Sequence, residues 1–351
     1  MLDDQNVLDQ RDPDGALEVA AEQPRQCDFA ATIEQAAHDG RAITRVVVAG
    51  MGGSALAALL VKSWLNDRLP MPFEVVRTYD LPGYVNSSTL VIASSYSGNT
   101  EETTSALAAA HQKGAQVAVL ASGGKLLETA KANDMSYVQL PSGLQPRMAV
   151  IYNLRGLTAL LAHFAIVDHS PYDEIGEQSA WLAEQTRDWR RDVSVDQNYA
   201  KQLALLAAGK TPVIYASSLM SPVAYKWKIS WNENAKNVAF WNEYPEFNHN
   251  EFMGWGSHPV EKPFAIFDLV SSFDHPQIKK RFAVSDRLLS GLRPKATVVE
   301  LRGESVLRQM LWASILADYV SIYVAVVNGV NPTPVGLIEK LKKELSAQTD
   351  N

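Results

Sequence analysis

The chain has a single cysteine, Cys27, in 351 residues. One thiol excludes an internal disulfide and any multi-cysteine metal site, and it fits a reducing compartment. Positive charge is also short: 32 Lys and Arg stand against 39 Asp and Glu, a formal net charge of −7. A general binder of nucleic acid or of an anionic membrane surface needs the opposite balance, so any anionic ligand must be held by a local pocket. The histidines are scattered, and no His/Asp/Glu cluster has metal-ligand spacing, so no metal is expected. Met1-Leu2-Asp3-Asp4 lacks the basic-then-apolar layout of a signal peptide. The most apolar stretch, Leu311 to Val327, is interrupted by Asp318 and falls short of a membrane span. A soluble, cytoplasmic protein is expected.

What is present is ordinary for a globular protein. With 46% apolar and 20% charged residues, the chain is long enough for two cores. Residues 1–40 read as a polar arm, with helical tendency at Ala16–Glu22 and Phe29–His38, packing on the first domain. Arg45–Ala49 is strand-like by its β-branched content and runs into Gly50-Met51-Gly52-Gly53-Ser54 and a helix from Ala55 to about Leu65. Further strands are expected at Phe73–Arg77, at Val91, at Gln116–Ala121 and at Ser136–Gln139, and a long apolar helix from Met148 to about Val167. Residues 168–195 are charged, carry two tryptophans and read as a connector. The second half repeats the plan: strands at Pro212–Ala216, Pro263–Val270 and Thr297–Leu301, with helices to about Asn234, through Leu289 and over Glu304–Val327. Strands alternating with helices through glycine- and serine-rich turns predict an α/β fold of two doubly wound parallel sheets related by duplication. The expected domains are 41–167 and 196–351.

Two stretches carry polar groups fit for chemistry. The first is Val91-Ile92-Ala93-Ser94-Ser95-Tyr96-Ser97-Gly98-Asn99-Thr100-Glu101-Glu102-Thr103, a strand, a tight turn and a helix start, with Ala/Leu-rich helical sequence from Ser105. Ser95, Ser97 and Thr100 supply hydroxyls, Gly98 permits close backbone approach, and the helix N-terminus offers free N–H groups, all suited to a phosphate. An ordinary Ser/Asn-capped turn, with Asn99 and Glu102 nearest to a capping box, fits the local pattern equally. The second is the run from Trp231 to Glu251, with four acids, several amides and His249. Taken singly, Glu233 reads as a solvated helix-end carboxylate and His249 as a turn histidine; together they exceed what a solvated loop needs. Gly50-x-Gly52-Gly53-Ser54 lacks the third glycine of a dinucleotide fingerprint, and Arg77 stands where an acidic ribose ligand belongs, which argues against a nicotinamide cofactor.

These motifs, with Pro146-Arg147, Asn232-Glu233-Asn234, Glu246-x-Asn248-His249-Asn250-Glu251 and Asn331-Pro332-Thr333-Pro334 through Lys340, resemble the bifunctional phosphoglucose/phosphomannose isomerases, which are built from two sugar-isomerase (SIS) domains. The match runs from about residue 45 to 343 in the family's order. The resemblance implies a metal-free, cofactor-free aldose–ketose isomerase acting on hexose 6-phosphates through a cis-enediol. By it, Gly52, Gly53, Ser54, Ser95, Ser97 and Thr100 hold the phosphate, Glu233 is the base and Arg147 steadies the enediolate. His249, reaching the site from the neighbouring subunit of a homodimer, opens the sugar ring with help from Lys340. Thr333 leaves room for either C2 epimer. Read without the resemblance, Lys340 with Lys342 and Lys343 is a solvated helix face, and Thr333 is a loop residue between two prolines.

Two rivals remain. A non-catalytic SIS sensor or regulator of the transcription-factor kind would carry a basic helix-turn-helix, which residues 1–40 do not resemble. The isomerase half of an amidotransferase would need a glutaminase domain with an N-terminal cysteine, and position 2 is Leu2.

Overall fold

The computed structural model of the chain describes residues 1–35 and 38–347. The arm holds α1 (Gln5–Arg11) and α2 (Ala16–Glu22), then a 3-10 turn over Gln23–Asp28. Asp4 caps α1 by accepting from the N–H of Asn6 at 3.0 Å. The helix expected over Phe29–His38 does not form: Phe29–Gln35 is non-helical, Glu34 pairs antiparallel with Tyr137, and residues 36 and 37 lie outside the described residues.

In the first half follow β1 (Arg45–Ala49), α3 (Gly52–Trp64), β2 (Phe73–Val76), β3 (Thr89–Ser94), α4 (Glu101–Gln112), β4 (Gln116–Ala121), α5 (Gly124–Ala132), β5 (Ser136–Gln139) and α6 (Val150–His163). The strands form a parallel sheet in the order β2-β1-β3-β4-β5, with Val47 of β1 opposite Glu74 on one side and Val91 on the other. The helices lie on both faces. Leu56 and Leu60 of α3 share an apolar cluster with Leu154 and Leu157 of α6, while Leu107 of α4 and Leu126 of α5 belong to a cluster with Val47 and Val91. Consecutive connections from β1 and β3 therefore leave to opposite faces. The crevice between the carboxyl ends of those two strands is the place where open α/β sheets bind ligands.

Residues 168–195, the expected connector, hold α7 (Ser170–Gly176), α8 (Ser179–Thr186) and a 3-10 turn that buries Trp189. Beyond it come α9 (Tyr199–Ala207), β6 (Thr211–Ser217), α10 (Ser221–Glu233), β7 (Phe240–Tyr244), α11 (Glu251–Gly254), β8 (Phe264–Val270), α12 (Pro276–Leu288), β9 (Thr297–Glu300), α13 (Val306–Asn328) and α14 (Gly336–Ala347). The second sheet is also parallel, in the order β7-β6-β8-β9. It repeats the winding of the first four strands of the other half and lacks an equivalent of β5. The polar run after Glu233 is thus partly an edge strand, β7, and not a long loop.

The core runs between the two sheets. Trp227 of α10, Trp312 and Tyr319 of α13, Leu56 of α3 and Leu154 of α6 all belong to one buried cluster. Apolar on all sides, α13 is long enough to cross a membrane, but it is almost wholly buried inside the protein. Two of its serines are satisfied locally: Ser314 and Ser321 donate to the carbonyls of Met310 and Ala317, each at 2.7 Å. The arm packs against this helix as well as against the first half. Arg11 donates to the Val326 carbonyl at 2.5 Å, and Gln23 to Asp318 Oδ2 at 2.9 Å.

Candidate active site

The serine-rich turn follows β3 at the sheet's crevice. Ser54 and Ser95 are buried, Thr100 is half-buried and Ser97 is exposed. Ser54 Oγ accepts from the Tyr96 N–H at 2.9 Å, and the Ser95 and Thr100 hydroxyls share a hydrogen bond of 2.7 Å. Helix α4 begins at Glu101, earlier than its sequence periodicity suggests, with Thr100 at the N-cap and no side chain of the cap accepting from its first-turn amides. Those amides and the positive end of the helix dipole are available to an anion. Asn99 does not cap α4; its Oδ1 accepts from the Lys125 N–H at 3.0 Å, at the start of α5. Gly98 has φ +71°, and a Cβ there would lie 1.7 Å from the Gly123 carbonyl oxygen, so only glycine fits. Gly53 is needed for a second close approach: a Cβ would lie 2.6 Å from the Pro146 carbonyl oxygen. That contact sets the start of α3, with Gly52 and Ser54, against the 3-10 turn that carries Arg147.

Arg147 is almost fully buried and all five of its N–H groups find acceptors among the described residues. Nε donates to Asn234 Oδ1 at 2.5 Å, and Nη2 to the carbonyls of Pro332 and Thr333, each at 2.9 Å. Nη1 donates to Glu233 Oε2 at 3.0 Å and, at a longer 3.4 Å, to Gln145 Oε1. Burial pushes the guanidinium below its usual range, and the carboxylates of Glu233 and Asp318 oppose that shift. Glu233 ends α10 with its side chain 25% exposed, so the pair is dry on the arginine side and open on the other. Asn234 is fixed in turn by donating to Ser321 Oγ of α13 at 2.9 Å.

Beneath Arg147 lies a buried ion pair that sequence reading did not assign. Lys226 Nζ donates to Asp318 Oδ1 at 2.5 Å, to Ser230 Oγ at 2.9 Å and to the backbone carbonyl of Arg147 at 2.9 Å. Burial pushes the Lys226 ammonium down, and Asp318 opposes it. A signal existed: Asp318 interrupts an otherwise apolar stretch, and a charge in a core needs a partner. Lys236, exposed just past α10, was also missed as an individual group. Its Nζ donates to the Glu233 carbonyl at 2.6 Å and to the Pro332 carbonyl at 2.9 Å. Burial of the ammonium and the nearby Arg147 push it down to about 8.

The structure thus joins Arg147, Glu233 and the backbone of Thr333, and it seats Ser54 of α3 beside Ser95 and Thr100 of the neighbouring turn. It does not bring in the other two candidates from the same chain. His249, in the 3-10 turn Glu246–His249, and Lys340, on α14, are exposed, and among the described residues neither bonds to Glu233 or Arg147.

Comparison with known proteins places both halves. The SIS domain family matches residues 41–133, and the bacterial phospho-glucose isomerase C-terminal SIS domain matches residues 196–345. A bifunctional phosphoglucose/phosphomannose isomerase from Caldicellulosiruptor bescii is 37% identical over 88% of this chain and 91% of its own length. One of the same description from Aquifex aeolicus is 33% identical over 86% of this chain and 90% of its own. The crystal structure of a glucose-6-phosphate isomerase like protein from Thermus thermophilus superposes with a TM-score of 0.65 at 18% identity, covering 97% of this chain and 98% of that one, and shares the fold. With two parallel sheets of the same winding and a relative this similar along most of its length, the chain belongs to the family of bifunctional phosphoglucose/phosphomannose isomerases.

Proposed function

We propose that this protein interconverts glucose 6-phosphate and mannose 6-phosphate with fructose 6-phosphate. The observation that carries the reading is the buried guanidinium of Arg147 bonded to the half-open carboxylate of Glu233. Moving a proton between C1 and C2 of an open-chain sugar needs a carboxylate on one face and a fixed cation where negative charge develops on oxygen. Glu233 takes the proton from C2 of the aldose; the C–H electron pair forms the C1=C2 bond and the carbonyl oxygen at C1 becomes the enediolate oxygen. The C2 hydroxyl proton passes to the C1 oxygen. Glu233 then returns its proton to C1, the C1=C2 electron pair forming the new C1–H bond while a lone pair on the C2 oxygen forms the C2=O bond of the ketose. Nη1 of Arg147, which already holds Glu233 Oε2, is the edge free to turn toward that oxygen, because its second bond, to Gln145, is the longest the guanidinium makes. Oε1 of Glu233, to which no described residue is hydrogen-bonded, is the basic oxygen.

The phosphate sits between Ser54 of α3 and the turn of Ser95, Ser97 and Thr100, against the amides of Gly52, Gly53 and the start of α4. His249 of one protomer opens the sugar ring in the site of its partner within a homodimer, assisted by Lys340, and Thr333 accommodates both C2 epimers. The exposed position of His249 supports a role outside its own subunit's site. A cytoplasmic setting fits Cys27, a buried thiol pushed up to about 12.

The test is turnover of the two aldose phosphates by coupled assay, with Glu233→Gln alongside. The amide still accepts from Arg147 but takes no proton, so kcat falls by about 10²–10⁴-fold, and exchange of the C2 hydrogen with deuterated solvent falls with it. No turnover by the wild type, or an unimpaired variant, overturns the reading.

A further inference from the structure

Lys236 has a backbone that few lysines adopt, with φ +54° in the left-handed region where glycine or asparagine is usual. The reversal follows directly on the end of α10 and is closed by the Asn237 N–H donating to the Trp231 carbonyl at 3.2 Å. It turns the side chain back over the helix end, where Nζ bridges the Glu233 and Pro332 carbonyls. The Pro332 oxygen also accepts from Arg147, so two cationic donors converge on a single carbonyl of the segment between α13 and α14. That segment contributes only backbone oxygens to the two cations; on its far side Asn331 donates to Asp14 of the arm at 2.8 Å.

From this geometry we infer that Lys236 is a positioning residue: it fixes the spacing between the Glu233 carboxylate and the Pro332–Thr333 segment, and so sets the preference between the two C2 epimers. The inference rests on the isomerase reading above. Lys236 reaches no reacting atom itself; it acts through the residue that carries the carboxylate and through the segment beside the sugar's C2. Its ammonium faces Glu233 on its own helix end and Arg147 from the Pro146–Met148 turn. Titrating near 8, it grips both carbonyls more weakly as the solution becomes alkaline.

The test compares wild type, Lys236→Met and Lys236→Arg on glucose 6-phosphate and mannose 6-phosphate between pH 6 and about 9, the alkaline end lying above the ammonium's value. Inorganic phosphate serves as a competitive probe of the anion seat. A loosened base costs Lys236→Met about 10- to 100-fold in kcat/KM. Its ratio of kcat/KM for the two epimers shifts about threefold or more, while inhibition by phosphate is unchanged. Wild type loses activity above about pH 8; Lys236→Met lacks that alkaline limb, and Lys236→Arg, which keeps charge and two donors, restores the epimer ratio. A wild type inactive on both sugars overturns the isomerase reading and this inference with it. An active wild type whose Lys236→Met variant keeps the epimer ratio and the alkaline limb overturns this inference alone.

Discussion

Replacing Arg147 by lysine keeps the charge and discards the planar fork. The guanidinium reaches acceptors in three directions: Asn234 along Nε, the Pro332 and Thr333 carbonyls along Nη2, and Glu233 along Nη1. One ammonium cannot span them. If lysine keeps the ion pair with Glu233, then Asn234 Oδ1 and the Thr333 carbonyl lose a charged donor, while Pro332 retains Lys236. Each buried acceptor left without a partner costs about 1–3 kcal/mol, so folding stability should fall by about 2–6 kcal/mol. Separately, losing a preorganised donor at the enediolate lowers kcat by about 10²–10³-fold. With the phosphate held as proposed, by Ser54 and the turn after β3, KM should change little. Urea denaturation gives the first quantity, and initial rates on both aldose phosphates, taken on the folded fraction, give the second. A folded variant with kcat within about tenfold of wild type, about 1.4 kcal/mol of barrier, would refute the assignment of Arg147 to the transition state and leave it a purely structural arginine.

Three further outcomes are expected. Co-expressing Glu233→Gln with His249→Ala, each inactive alone, should restore about a quarter of wild-type activity, because half of randomly paired dimers hold one intact site; no restoration would mean that His249 does not cross the interface. Dialysis against EDTA should leave turnover intact, and loss that zinc reverses would count against the arginine-and-carboxylate mechanism. Asp268 of β8 is buried with its Oδ1 lacking a hydrogen-bond partner among the described residues, and burial pushes its carboxyl up from 3.8 to about 7 despite Arg293 nearby. The folded state then binds the proton more tightly than the unfolded chain. That stabilisation is complete below pH 3.8 and fades as pH rises to about 7, for a total of about 4 kcal/mol at 1.36 kcal/mol per pH unit. Asp268→Asn should flatten this slope in denaturation midpoints measured from pH 5 to 8; parallel curves for the two proteins would show that Asp268 does not titrate there.

The alternation of β-branched runs with Ala/Leu-rich segments was readable because each parallel strand is buried on both faces, and β1, β4 and β5 fall where the residues alone place them. What was not readable depends on partners distant in sequence. Strand β7 looks like part of a polar loop, since Asn242 and Glu243 belong to an edge and only its pairing with β6 makes it a strand. The short α7 and α8 carry no strong pattern of their own, and the turn after them is set by Trp189 packing edge-on against Trp312, 123 residues away. At the site, Glu233 and Arg147 stand out by motif. Lys226 does not, for its role is set by Asp318, which is 92 residues away and visible only once α10 and α13 lie side by side.

The interior that α3, α6, α10 and α13 fill in common has a mechanical consequence. Swinging one sheet away from the other would wet Trp227, Trp312 and the Lys226–Asp318 charges together, a cost far beyond what binding a small sugar returns. The clamshell motion common to two-lobed enzymes is therefore closed to this molecule. The turn that carries Arg147 and the helix that ends in Glu233 thus keep their spacing whether or not a ligand is bound.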